Sequence, residues 1–428
     1  MNAWYLLCFL SAFAVLIACL NQHVLKLQQT IAITTVSVVT SLALVVSVQL
    51  LDNELSKSII AVVGMLDFNQ LLLNGMLGFL LFAGALEINL AALEKQRWQI
   101  AVLVVFSTLL STFLVGYGAY WVFAASGWPV PLVYCLLFGA LISPTDPIAV
   151  LAIFKKLQAP ESIAVKVEGE SLFNDGVGLV VFTTIFSVAF TGTAPTALGI
   201  AEQFLKEAVG GVAFGFALAV VAHYLIITAR QSGLRVLISM LIPTAGYSAA
   251  TLLEVSGALA MVVCGIFIGN VTRGHLARQH ADHDPSYVQH FWHTIDSFLN
   301  ALLFLLIGLM LVTFPVTWRE IVVGLCMVPV VLLARFISVG IPFIGFRRMG
   351  KCDPHAVKIL TWGGLRGGLA LAMAASIPEQ AMTVNGVDLH GLILLVTYVV
   401  VIFSIIVQGL TIAPLIQKSI VAANSSSP

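Results

Sequence analysis

The residues of this chain that could do chemistry are concentrated in one stretch, SPTDPIAVLAIFKKLQAPESIAVKVEGESLFNDGVGLVVF, from Ser143 to Phe182. It carries Asp146, Glu168, Glu170, Asn174 and Asp175 inside a sequence that is 60% hydrophobic and 9% charged. An ionisable group at membrane depth is costly and is by default a functional one. Pro144 and Pro147 flank Thr145 and Asp146, so no helix runs smoothly through that dipeptide. The pattern is a carboxylate at a helix break, followed by a helix carrying Asn-Asp. The chemistry it suits is reversible binding of a small cation or a proton.

Asp175 is the expected carrier. A carboxylate taken into a low-dielectric cavity does not stay bare; it holds a proton or a cation, and the two compete for one site. Hard cations prefer oxygen ligands. Ser171 lies four residues before Asp175 on the same helix face. Thr145, Asp146 and the carbonyls freed at the proline break supply further oxygens. The expected Na+ site is therefore Asp175, Thr145 and Ser171, with Asn174 and Asp146 beside it. Asn174 is neutral, so the Asn-Asp pair offers one titrating group. One charge that alternates between H+ and Na+ moves no net charge per cycle. That predicts electroneutral one-for-one exchange, unless Asp146 also titrates.

Other ionisable groups take supporting roles. Glu170 and Arg366 read as a buried pair holding two helices together; breaking such a pair costs about 3–5 kcal/mol. Glu168 reads as part of a cytoplasmic funnel. Arg335 reads as an accessory cation that caps the carbonyl end of a half-helix, pairs with a carboxylate, or snorkels in a structural role. Glu87 and Asp296 fall near span ends and read as interfacial. His275, His280, His283, His290 and His293 cluster between two spans at no metal-ligand spacing, so a solvated loop is expected there. HExxH, GxSxG and GxxxxGK[ST] are absent, so a protease, an esterase or a P-loop pump finds no support. No cofactor is expected beyond the transported Na+ and H+.

These groups need elements that hold them at one depth. Mean hydropathy is +1.03, and a soluble domain averages about 25% charged residues, so the expected class is an all-α polytopic membrane protein. A bilayer core takes about 20 apolar residues per helix. Runs near that length fall at about 4–20, 30–51, 71–90, 98–123, 131–156, 161–190, 205–229, 233–252, 254–271, 293–314, 319–345, 355–376 and 387–417, about thirteen spans. The first lacks a preceding basic residue and a clear cleavage site and is expected to remain as a helix. Residues 53–70 read as a short interfacial segment, and beyond the last span only a short Ser-rich stretch, Ala422 to Pro428, is read, so no soluble regulatory domain is expected.

Span five contains the Pro144–Pro147 break. Span twelve, HAVKILTWGGLRGGLALAMAASIP, has Gly363, Gly364, Gly367 and Gly368 around Arg366. Such weakened backbone is tolerated in a membrane only against protein or a polar cavity. The two spans are seven apart and cross in opposite directions. Interrupted helices in two opposed halves are the pattern of inverted-repeat transporters. At about 1.5 Å per residue, Asp146, Asp175 and Arg366 all reach the middle third of the bilayer.

Of the twenty Lys and Arg, fifteen fall in loops after odd-numbered spans. Three (Lys57, Lys206 and Arg319) follow even-numbered ones, and Arg335 and Arg366 lie within spans. The bias places the C-terminus in the cytoplasm and the N-terminus outside. Net charge is zero, so no nucleic-acid partner is suggested. The six cysteines show no CxxC spacing and read as buried, inert thiols.

Seven segments in order carry a resemblance: GFLLFAGALEINL, SPTDPIAVLA, EGESLFNDGVGLVVF, SGALAMVVCGIFIGN, FWHTIDSFLNALLFLLIGL, GGLRGGLALAMA and VQGLTIAPLI. On these the chain resembles the bacterial sodium/proton antiporters of the monovalent cation–proton antiporter superfamily, NhaP type, related to the eukaryotic sodium/proton exchangers. The resemblance implies that Thr145 and Asp146 fall on the Thr-Asp motif of an unwound helix. Asn174 and Asp175 fall on the Asn-Asp motif that binds cation or proton, and Ser171 matches a serine near the ion. Glu170 and Arg366 match a pair that bridges the core. It also implies a single membrane transporter domain, with core helices at about 98–190 and 319–417 and dimer or scaffold helices at about 4–90 and 205–314. Members work as homodimers by an elevator-like movement. One departure is that exchanger-type relatives often carry an acid in the third span, where this chain has Leu81-Phe82-Ala83.

The resulting expectation is a secondary antiporter, not an enzyme, in the lipid of a plasma (bacterial inner) membrane, exchanging Na+ or Li+ for H+ by alternating access. A K+/H+ antiporter is the alternative, and a cation channel a weaker one. A substrate symporter is disfavoured by so small and acidic a site.

Overall fold

Lipid offers backbone amides no partner, so apolar runs of membrane length must satisfy their own hydrogen bonds as helices. The computed structural model describes residues 3–51, 54–64, 67–159, 161–190, 196–279, 287–313, 317–348, 356–378, 383–384 and 387–425. His280 and His283, named above, and Cys352, one of the six cysteines, lie outside the described residues. The chain begins α1 (Tyr5–Leu25), α2 (Gln29–Leu51), α3 (Glu54–Gly64), α4 (Gln70–Glu87) and α5 (Leu90–Ala125). It continues α6 (Leu132–Ile142), α7 (Ile148–Leu157), α8 (Glu161–Phe190), α9 (Leu198–Thr228) and α10 (232–252). Then come α11 (Gly257–Arg278), α12 (Tyr287–Thr313), α13 (Trp318–Arg348), α14 (Ala356–Trp362), α15 (Gly368–Ala375) and α16 (Leu389–Lys418). A two-residue hairpin, Thr383–Val384 against Val387–Asp388, precedes α16.

Ten of these helices are long and apolar enough to cross a bilayer, among the described residues. The remaining expected spans are α10 and two interrupted ones, α6–α7 and α14–α15. Every one of the thirteen expected positions is thus helical. The segment after α2 forms its own short helix, α3.

The helices pack most extensively within two groups. In one, α5 lies against α6 and α13, α6 against α8, and α13 and α15 against α16. In the other, α11 packs between α4 and α9, and α12 packs on α2 and α4. Small polar side chains join neighbours where lipid supplies no hydrophobic drive. Ser107 donates to the Ser338 carbonyl at 2.8 Å, joining α5 to α13, and Ser41 to the Gly308 carbonyl at 2.9 Å, joining α2 to α12. Trp292 on α12 is buried, donates to Ser239 Oγ at 2.9 Å and stands edge-on to Phe82 at 4.9 Å. One correction concerns the cysteines. Cys135 and Cys264 are buried, but Cys8, Cys19 and Cys326 are exposed on helix surfaces. An apolar run alone does not distinguish a lipid-facing side from a protein-facing one.

The long helix α8 runs directly past the break in span five. A Cβ added at Gly178 would lie 2.3 Å from Pro144 Cγ, so only glycine allows the approach. Gly178→Val is expected to destabilise the protein by about 1–3 kcal/mol through overpacking, read as a lower melting temperature in detergent. An unchanged melting curve would show that α8 has room to move off the break.

Candidate ion-binding site

The two breaks touch. The Asp146 amide donates to the Leu365 carbonyl at 2.8 Å, a single antiparallel bridge between the interrupted spans. Four half-helix ends meet there, and each carries a partial charge, negative at carbonyl ends and positive at amide ends. Each end meets an opposite charge. Arg366 Nη1 donates to the carbonyls of Ser143 and Pro144 at the end of α6, the latter at 2.9 Å. Arg335 Nε donates to the Leu360 carbonyl in the last turn of α14, at 3.3 Å. Asp146 Oδ1 accepts from the Ile148 amide at 2.9 Å, at the start of α7. A Cβ at Gly367 would lie 2.5 Å from Asp146 Oδ2, so the start of α15 crowds the same carboxylate. The Arg366 amide donates to Ser404 Oγ at 2.9 Å, anchoring the second break on α16.

The buried pair differs from expectation. Glu170 Oε1 bonds Arg335 Nη1 at 2.5 Å, with side chains 1% and 4% exposed, and does not pair with Arg366. Arg366 sits on the break itself, where the prolines leave the Ser143 and Pro144 carbonyls without helical donors, and these carbonyls take its guanidinium. Arg335 reaches from α13 past the end of α14 to α8, where it meets both a half-helix carbonyl end and a carboxylate.

A second set of bonds ties α8 to the first break. Asn174 Oδ1 accepts from the Thr145 amide at 3.2 Å, and Asn174 Nδ2 donates to Thr145 Oγ1 at 3.0 Å. Thr145 Oγ1 and Ser171 Oγ share a hydrogen at 2.9 Å. All three residues are buried. Asp175, next in the chain, turns to the other side. With Asp146 and Thr145 it lines a cavity of about 420 Å³ between the breaks on one wall and α4 and α12 on the other. Ser171 stands behind Thr145 in this arrangement. Oxygen atoms predominate among the polar groups at the inner end, a donor set for a hard monovalent cation.

The cavity continues past Glu168 to Lys155 and Glu87, which approach to 3.7 Å at its exposed mouth. His293 also lines it. His275 lies elsewhere, with its ring edge-on to His223 at 5.6 Å. No group of His, Cys, Asp and Glu able to hold a metal occurs among the described residues. Sequence reasoning missed Asp296 and Asn300, which line the cavity from α12. Asp296 reads as interfacial when the span is started at residue 293, but α12 begins at Tyr287, so the carboxylate lies deeper. The available signal was the four-residue spacing of Asp296 and Asn300 on one helical face.

Crossed, interrupted helices with compensated ends, beside an acid in a cavity, define a secondary transporter of the inverted-repeat class. Residues 9–418 match the family model for the sodium/hydrogen exchanger, transmembrane, and the chain belongs to that family. It is 39% identical over 411 residues to the Na(+)/H(+) antiporter NhaP of Pseudomonas aeruginosa, covering 95% of each chain. It is 32% identical over 357 residues to the Na(+)/H(+) antiporter NhaH of Halobacillus dabanensis, covering 82% of this chain and 83% of that one. Its fold matches the sodium proton antiporter MjNhaP1 of Methanocaldococcus jannaschii with a TM-score of 0.73, at 19% identity, over 97% of this chain and 98% of that one.

Arg335→Gln strands Glu170 in the interior and is expected to cost about 3–5 kcal/mol, much of it recovered when Glu170→Gln is added. A double-mutant cycle on unfolding in detergent measures this. Strictly additive losses would mean the two charges are not coupled.

Proposed function

We propose that this protein is a secondary antiporter exchanging Na+ or Li+ for H+, with Asp175 holding cation and proton in alternation. One observation carries the reading. Among the described residues Asp175 has no hydrogen-bond or ion-pair partner, yet it lines a cavity at the helix crossing. Every other charge at the crossing is already used. Asp146 faces the amide ends of α7 and α15, Glu170 faces Arg335, and Arg366 faces two carbonyls. The charge left for cargo is one carboxylate, which supports exchange of one Na+ for one H+ without net charge movement. The names of the NhaP and NhaH relatives agree with these ions.

Thr145, which lines the same cavity, is the hydroxyl ligand to add to Asp175, and Ser171 joins if the Thr145 hydroxyl rotates toward the ion. Asn174 acts as a clamp that keeps the break against α8. In this reading the cavity mouth at Lys155 faces the cytoplasm of a bacterial cell, with the N-terminus outside and the C-terminus inside. Helices α5–α8 and α13–α16 form the moving body. Helices α1–α4 and α9–α12 form the scaffold, through which two copies meet as a homodimer in the lipid.

The test uses proteoliposomes with an imposed pH gradient and the voltage clamped near zero. Added Na+ or Li+ collapses the gradient in wild type, and Asp175→Asn abolishes the effect. A wild-type rate in Asp175→Asn would sink the carrier assignment, and a stronger response to K+ would reassign the cargo. Competition also sets a pH dependence. Protons occupy Asp175 as pH falls, so the apparent KM for Na+ is expected to rise toward acid pH while the rate at saturating Na+ is retained. A KM independent of pH would separate the two ions onto different groups.

A further inference from the structure

We propose that Asp296 and Asn300 form a second cation station on the α12 wall of the cavity, where a partly hydrated monovalent cation is held before it reaches Asp175. The proposal rests on the antiporter reading for its role, but its geometry stands by itself. Asp296 and Asn300 are one turn apart on one face of α12, and both line the same cavity as Asp175. Asn300 is 5% exposed, and its Oδ1 has no hydrogen-bond partner among the described residues. A buried acceptor left without a donor is destabilising, so this oxygen calls for a ligand. The Asn300 amide lies beside the Asp296 carboxylate. With the amide nitrogen turned toward that carboxylate, the oxygen is left buried in the α12 wall of the cavity without a donor. A carboxylate and an amide oxygen side by side are a hard-cation donor pair.

The surroundings favour a cation over any anion or neutral cargo. Asp296 lies within electrostatic reach of Asp146 and Glu87, with Lys155 as the opposing charge. The Lys155 side chain is 77% exposed at the mouth, where water screens it. The cavity of about 420 Å³ accommodates a cation with several waters, each occupying about 30 Å³. Station and carrier sit on helices of different packing groups, α12 and α8, so a cation can be passed from one wall to the other.

Two measurements test this. The first is a structure of the Asp175→Asn variant with Tl+ in place of Na+, which removes the carrier and needs no transport. An anomalous peak within about 3 Å of the Asp296 carboxylate and Asn300 Oδ1 is expected, at an ordinary metal–oxygen contact distance, and it disappears when Asn300→Leu is added. No peak there, or only water bonded to Asn300, overturns the station. The second is Na+-driven proton flux of variants with an otherwise native chain. Asp296→Asn, which removes the charge, and Asn300→Leu, which removes an oxygen contact to the cation, are each expected to raise the KM for Na+ about tenfold, with a smaller change in maximal rate. Asn300→Asp, which keeps an oxygen at that position, restores the KM. Wild-type KM values in both loss variants overturn the station while leaving the antiporter reading intact. Absence of flux in wild type overturns the antiporter reading, and the Tl+ structure then decides the station by itself.

Discussion

The structure depends on how four half-helix ends are neutralised where two broken helices cross. Breaking a helix inside a membrane exposes carbonyls and amides that lipid cannot satisfy. Here the carbonyl ends meet Arg366 and Arg335, and the amide ends meet Asp146. A single backbone hydrogen bond, from Asp146 to Leu365, locks the two breaks to one another. Without these charges the crossing would be an expensive defect. With them it is a rigid polar centre in an apolar protein.

Neighbouring residues divide the remaining duties. Asn174 spends both ends of its amide on Thr145 and so holds α8 against the break. Asp175 is one residue on, about 100° further round the helix, and faces the cavity instead. Rigid placement and an unclaimed charge are opposite requirements, and adjacent positions on one helix meet both. Glu170, one turn before Asn174, secures the same helix to Arg335 on α13. In the proposed reading Asp175 is the acid at the helix crossing whose carboxylate is left open to a cation or a proton.

The two walls of the cavity differ in kind. One is built from half-helix ends and α8, held by short-range polar contacts. The other is built from α4 and α12, where Trp292 packs among Phe79 and Phe82. Apolar packing tolerates sliding better than a network of directional hydrogen bonds does. Movement between two bodies that meet at such a cavity would carry the Asn174–Thr145–Ser171 network beside Asp175 intact, because those bonds lie within one body, whereas the Thr183–Glu207 bond from α8 to α9 crosses to the other.

Much of this was legible in the sequence. Charge scarcity and apolar run length determine a polytopic helical membrane protein, because the bilayer accepts little else. The prolines around Asp146 and the glycines around Arg366 determine where helices break, because those residues act on local backbone. The Asn-Asp pair marks the proposed carrier, because an acid at that depth is costly. Only the tertiary structure decided which charge meets which. Glu170 chose Arg335 over Arg366 because the Ser143 and Pro144 carbonyls lay closer to Arg366, a competition invisible along the chain. Asp296 and Asn300 joined the cavity because α12 starts early and packs across from α8. Local backbone preferences are written residue by residue, whereas partners are chosen by distance and burial, which exist only once the helices have packed.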